Sequence, residues 1–332
     1  MQWMGKAMQF LGPILCHSLA AGPGCTTPSP TGPDTTTPED TDTDTDTGEP
    51  VLSAWSWPVP TDPELGLRLN DSFGPRIHTS SGLYDFHRGV DISRAVGTPV
   101  VAVADGEVTI AGEHDAYQDT TVQIRHTLDD GTFLISHYTH LSSVTEGLEI
   151  GDVVLRGEPI ALTGQGTSSY PHLHFEFRTS ETGSSYQRYA VHPLSYLPYT
   201  NAEPPTLTID GVSRVDDAHV RVDLTLTVTG EEADLLVVTI EVDDAGDATR
   251  LSSHRYDTNE WNAAHETVSD LDEAVVDGVQ FVPEEFHDGK SDWVLAMSFL
   301  ELEAPAGTDL SIRVTAEDAL GESVTVSTDV TP

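Results

Sequence analysis

Apolar and polar residues alternate in short runs through the middle of this chain, and no long stretch keeps a helical period. Thr98 to Ala104, Glu107 to Ala111, Thr121 to His126, Thr132 to Tyr138, Pro159 to Leu162 and His172 to Arg178 read as strands. Turn signals separate them: Asp105-Gly106, Asp130-Gly131 and Gly164-Gln165-Gly166. With no crossover helix between them, these strands are expected to pair antiparallel.

After Asn201-Ala-Glu-Pro-Pro205 the pattern changes. Val220 to Val228, Leu236 to Val242, Leu310 to Val314 and Val324 to Val330 alternate cleanly, and Trp293 to Leu302 adds a more apolar strand. Six or seven such strands over about 130 residues predict an immunoglobulin-like β-sandwich. The whole chain is therefore expected to be all-β, with one antiparallel domain over residues 55–200 and the sandwich over 201–332. A length of 332 residues accommodates two such cores.

The first 54 residues follow neither pattern. Residues 1–25 read as an export leader: Lys6 near the start, an apolar stretch from Phe10 to Leu15 and Leu19 to Ala21, then Cys25. Gly12, Pro13 and His17 break that stretch, which is too short to stay in a bilayer as a helix. Cys25 resembles the lipid-modified cysteine of bacterial lipoproteins, because a small residue precedes it and a polar tether follows. Gly22-Pro23-Gly24 departs from that pattern, having no aliphatic residue three places before the cysteine, so lipidation and simple secretion stand as alternatives. Residues 26–54, rich in Thr, Pro and Asp, bury too little to offset chain entropy and are expected to form a self-repelling disordered tether. Asp42-Thr43-Asp44-Thr45-Asp46 opens like a calcium loop, but Gly48 falls one place late and Ser53 occupies the twelfth position.

Charge narrows the partners. The 55 acidic residues against 15 basic give a formal charge of -40, which argues against nucleic acid or an anionic lipid surface. Residues 201–332 hold 30 acidic and 6 basic residues and so carry most of it. Both cysteines, Cys16 and Cys25, lie in the leader, which leaves no disulfide framework and no cysteine-ligated metal in the folded domains.

Candidate chemistry concentrates in two places. His172-Leu173-His174 lies on a predicted strand, so the two imidazoles project from one face about 7 Å apart. Upstream, His87-Arg88-Gly89-Val90-Asp91 adds a third imidazole and a carboxylate. Two His and one Asp can hold zinc while leaving a position open for water. His265-Glu266 begins like HExxH, but Ser269 stands where the second histidine is required. His219, His254 and His287 have no metal spacing, and His126 and His137 match no ligand position.

Phe73-Gly74-Pro75-Arg76, His87-x-Gly89-x-Asp91, Tyr138-Thr139-His140-Leu141, Gly151-Asp152-Val153-Val154 and Pro171-His-Leu-His-Phe-Glu176 occur in one order over residues 70–180. Together they resemble the lysostaphin/LytM-type zinc peptidases of family M23, which are peptidoglycan endopeptidases. The resemblance implies Zn2+ held by His87, Asp91 and His174, with His140 and His172 assisting proton transfer. It implies an exported endopeptidase acting on stem or cross-bridge peptides of peptidoglycan, in the periplasm, as an outer-membrane lipoprotein, or outside the cell. Cys25 would supply the sole membrane link. The alternative is a catalytically silent envelope factor that regulates or recruits a cell-wall amidase. Three further residues enter as expectations: Gly89 as a tight turn between ligands, Arg76 as a support or a surface ion pair, and Tyr138 as cleft lining or core. Where many relatives have a small turn this chain has Ser168-Ser169-Tyr170, which sets a bulky ring at the cleft edge.

Overall fold

The computed structural model describes residues 54–60, 69–77, 84–114, 119–166, 170–199, 204–229, 234–264, 269–271, 274–276, 278–283 and 292–332. The leader, the tether through residue 53, Ser168-Ser169, the His265-Glu266 pair and His287 lie outside the described residues.

Up to residue 200 the strands are β1 (Leu69–Asp71), β2 (Gly74–Ile77), β3 (Tyr84–His87), β4 (Val90–Ser93), β5 (Pro99–Val101) and β6 (Gly106–His114). They continue with β7 (Asp119–Thr127), β8 (Phe133–Thr139), β9 (Leu141–Val144), β10 (Val153–Val154), β11 (Pro159–Thr163), β12 (His172–Ser180) and β13 (Ala190–Val191). The main sheet runs β1-β4-β12-β8-β7-β6-β10, with β13 also pairing β12, and every pairing is antiparallel. The smaller sheet β5-β11-β9 shares its core: Val100, Ile160 and Leu141 cluster with Val122, Ile124, Tyr138 and Phe175.

β12 shows why the sheet holds. Leu173, Phe175 and Phe177 alternate onto the core face and are fully buried. Each such side chain stabilises the fold by roughly 1.5–3 kcal/mol. The intervening positions carry His172, His174, Glu176 and Arg178, and this polar face is covered as well, with Arg178 entirely out of solvent. A buried polar face persists only where its hydrogen bonds are made within the protein.

Beyond residue 204 follow β14 (Thr206–Arg214), β15 (His219–Thr229), β16 (Leu235–Asp244), β17 (Arg250–Asp257), a short helix α1 (Thr258–Ala264) and β18 (Ser269–Leu271). The last strands are β19 (Ala274–Val276), β20 (Val279–Pro283), β21 (Asp292–Glu303), β22 (Leu310–Asp318) and β23 (Ser323–Val330). Sheet β14-β15-β21-β20-β19 faces sheet β17-β16-β22-β23 across a core that includes Leu224, Ile240, Phe281, Met297 and Val314. This is a two-sheet sandwich with more strands among the described residues than the six or seven the alternation predicts. The extra ones are short or, like β17, mostly polar.

The two cores meet. Residues Leu52–Pro332 form one compact unit, and Phe73, Phe86 and Ala190 belong to the sandwich's apolar cluster. A third sheet, β18-β3-β2, is built from both halves of the sequence. α1 closes the junction, with Trp261 stacked on Phe86 at 5.0 Å between ring centroids.

Candidate metal centre

Two segments converge over the polar face of β12. β4 lies beside it with Asp91 directly opposite His174. β3 ends on His87, which pairs with Gly74 of β2. His174 Nδ1 lies 2.8 Å from Asp91 Oδ1, His87 Nε2 lies 3.2 Å from the same oxygen, and the two ring nitrogens are 3.0 Å apart.

The outer hydrogen bonds fix which nitrogens face inward. His87 Nδ1 donates to the Ser72 carbonyl at 2.9 Å, and His174 Nε2 donates to Glu176 Oε1 at 3.0 Å. That leaves His87 Nε2 and His174 Nδ1 aimed at one point beside a carboxylate oxygen, each a metal-binding atom once it gives up any proton. Such a convergence calls for a cation. Burial pushes His174 down, yet its hydrogen bonds to Asp91 and Glu176 outweigh that and raise its pKa to about 9. Burial alone would raise Asp91, but His87 and the hydrogen bonds from His174 and His87 hold it well below the usual carboxylate range. Two imidazoles and a carboxylate whose other atoms are already occupied are a donor set that fits zinc.

The surroundings keep these groups in place. Arg178 donates to Glu176 Oε2 at 2.7 Å and to Ser185 Oγ at 3.1 Å. Burial would raise Glu176 too, but Arg178 first and then His174 keep it ionised. Arg76 is no surface ion pair: it donates to Asp71 and Asp85 and stands 3.6 Å from Asp91. Gly89 meets a different need from the expected turn. Its φ is not in the left-handed region, but a Cβ there would fall 2.4 Å from the Phe175 carbonyl oxygen and 2.9 Å from Glu176 Cγ. The demand is for space between β4 and β12, and only glycine supplies it.

His140 and His172 flank the cluster, their ring centroids 4.8 Å apart. His172 Nδ1 donates to the Tyr170 carbonyl at 3.1 Å, and its Nε2 lies 3.7 Å from Asp91 Oδ1. The Tyr170 ring lies against His172 at 4.8 Å with a 34° tilt, so the extra ring contacts an imidazole of the site. His140 Nδ1 is bonded to Asp119. Burial and the nearby His174 lower the His140 pKa, against the pull of Asp119, so its ring is neutral at pH 7. Its backbone has φ 61°, a left-handed conformation uncommon outside glycine, at the junction of β8 and β9. Gly166 crosses close by: a Cβ there would lie 2.4 Å from His140 Nδ1. Beside Asp119 opens a cleft of about 660 Å³ lined by Glu113, His114, Ser142 and Gln165.

The other histidines near the motifs stay out of the cluster. His126 bonds the Asp105 carbonyl and Ser136, and His137 bonds Gln123 inside the sheet. Tyr138 is core: fully buried, its hydroxyl accepts from the Val103 amide at 3.1 Å. Sequence reasoning gave no role to Asp119, Glu176, Arg178 or Asp71.

Residues 85–187 match the family model described as Peptidase family M23. Those residues carry an M23 peptidase domain. An uncharacterized metalloprotease of Haemophilus influenzae is 37 % identical over 41 % of this chain and 26 % of its own length. The DD-carboxypeptidase/endopeptidase Mpg of Neisseria meningitidis is 36 % identical over 35 % of this chain and 26 % of its own. The murein hydrolase activator NlpD of Salmonella dublin is 33 % identical over 44 % of this chain and 32 % of its own. The chain thus spans about a quarter to a third of the length of the curated relatives it matches. The M23 domain supplies every residue of the His87, Asp91 and His174 cluster, together with His140 and His172.

Proposed function

We propose that the chain is an exported zinc-dependent endopeptidase that hydrolyses peptide cross-links of bacterial peptidoglycan. The observation that carries the reading is the convergence of two imidazole nitrogens and a carboxylate oxygen on one point, with two further imidazoles beside it. His87, Asp91 and His174 hold zinc in this reading. Zinc bound there supplies Lewis acidity, polarising the scissile carbonyl and making a water easier to deprotonate. His140, held by Asp119, accepts the proton at Nε2, while His172, once protonated, donates from Nε2 to the developing oxyanion or gives that proton to the departing amine. The acidic cleft beside Asp119 takes a peptide, and the name of the Neisseria relative favours a DD-type bond. Residues 1–25 direct export, and Cys25 is the point of lipid attachment if one is made. Residues 55–200 act as the peptidase domain and 201–332 as its companion.

The Salmonella relative is named as a murein hydrolase activator, and this favours a second reading, a catalytically silent envelope factor. The filled ligand set stands against it. Incubating the protein with purified peptidoglycan and identifying released fragments by mass spectrometry separates the two. New amino and carboxyl ends within cross-links, abolished by a zinc chelator and restored by zinc, are expected. Intact cross-links with every wall type tried would leave only the activator.

A further inference from the structure

One buried amide of the sandwich half reaches the segment that carries His87 and Asp91. Asn262, on α1, is 1 % exposed. Its Oδ1 accepts from Arg88 Nε at 2.9 Å, and its Nδ2 donates to the carbonyls of Ala190 at 3.0 Å and Arg188 at 3.2 Å. Arg88 is the residue between His87 and Gly89, within the segment that presents His87 and Asp91. Ala190 begins β13, which pairs with β12 at Arg178, two strand positions beyond Glu176. One side chain therefore ties the His87 and Asp91 segment to the edge of the strand that carries His174.

The neighbours of Asn262 act in the same direction. Trp261 stacks on Phe86, the residue before His87, at 5.0 Å and 24°. β18 adds its backbone to β3, with Ser269 opposite Asp85. α1 is itself anchored to the sandwich: Thr258 Oγ1 donates to the Leu236 carbonyl at 2.9 Å, and Asp257 accepts from the amides of Asn259 and Glu260. β3 is a four-residue strand held between β18 and β2, so one of its two neighbours comes from the sandwich half.

We infer that Asn262 is a positioning residue for the metal centre, and that the sandwich sets where His87 stands relative to His174. The inference rests on the reading of His87, Asp91 and His174 as zinc ligands. A ligand segment free to shift raises the entropy lost on binding metal, and removing groups that orient ligands commonly weakens metal affinity by about 10–100-fold.

The test uses the full chain and three readouts: zinc affinity by competition with a chromogenic chelator, hydrogen exchange of residues 84–91, and circular dichroism to check folding. Asn262→Ala is compared with Asn259→Ala, which removes the bond from the His192 amide to the same helix and leaves Arg88 untouched. The expected result is zinc affinity about tenfold weaker and faster exchange over residues 84–91 in Asn262→Ala, with Asn259→Ala within about twofold of wild type. Arg88→Ala should weaken zinc comparably, and the double variant should add little to either single change. Unchanged affinity and exchange in Asn262→Ala overturns the inference, as does equal weakening in both asparagine variants, which marks general loosening. If wild type takes no zinc, the functional reading falls, while the exchange comparison still decides whether Asn262 holds the segment.

Discussion

His140 satisfies two constraints at once, a left-handed backbone and a bond from Nδ1 to Asp119. The bond fixes the tautomer, so Nε2 carries the lone pair that proton transfer requires. Asp119→Ala is expected to lower kcat by about 10–100-fold with KM and zinc content nearly unchanged, because the tautomer is then free to exchange. An unchanged kcat, or lost zinc, would assign Asp119 another role. None of this was readable along the chain. Asp119 stands 21 residues before His140 in a run without any motif, and only the pairing of β7 with β8 brings the two strands together. Glu176 and Arg178 were within reach of sequence reasoning, since the period of two that joins His172 to His174 continues through both. His87, Asp91, His140, His172 and His174 stood out as motifs, and the fold gathers all five.

Strands with strong alternation were legible as elements. β7, β8, β12, β15 and β21 fall within a few residues of their expected limits, because each buries one face continuously. The four strands that build the centre's far side were not. β1 to β4 are three or four residues each, and β4 is buried at nearly every position, so no alternation marks it. The pairing of Tyr84 with Leu271 spans most of the folded chain and leaves no local signal. Gly89 was visible as a glycine between ligands, but its reason was misread as a turn. The reason lies in the approach of the Phe175 carbonyl from a strand more than eighty residues away.

Taken whole, the molecule joins an M23 domain to a strongly acidic sandwich through α1 and the shared sheet β18-β3-β2. Its stability should fall in mild acid for an identifiable reason. Burial lowers the His126 pKa from 6.5 to about 4, against the pull of the Asp105 carbonyl. The unfolded chain then binds the proton more readily, so this contribution is complete above pH 6.5 and is lost as the pH falls toward 4. Between pH 7 and 5 the loss is about 2 kcal/mol in urea unfolding. His126→Gln should show a smaller drop over the same interval, and an equal drop would remove His126 as the cause. The central claim, that His87 belongs to the metal while His172 serves the reaction, is tested most directly by measuring bound zinc and peptidoglycan cleavage together in wild type, His87→Ala and His172→Ala. The account predicts about one zinc per chain and cleavage in wild type, neither in His87→Ala, and zinc without cleavage in His172→Ala. Zinc retained by His87→Ala, or cleavage retained by His172→Ala, would contradict it.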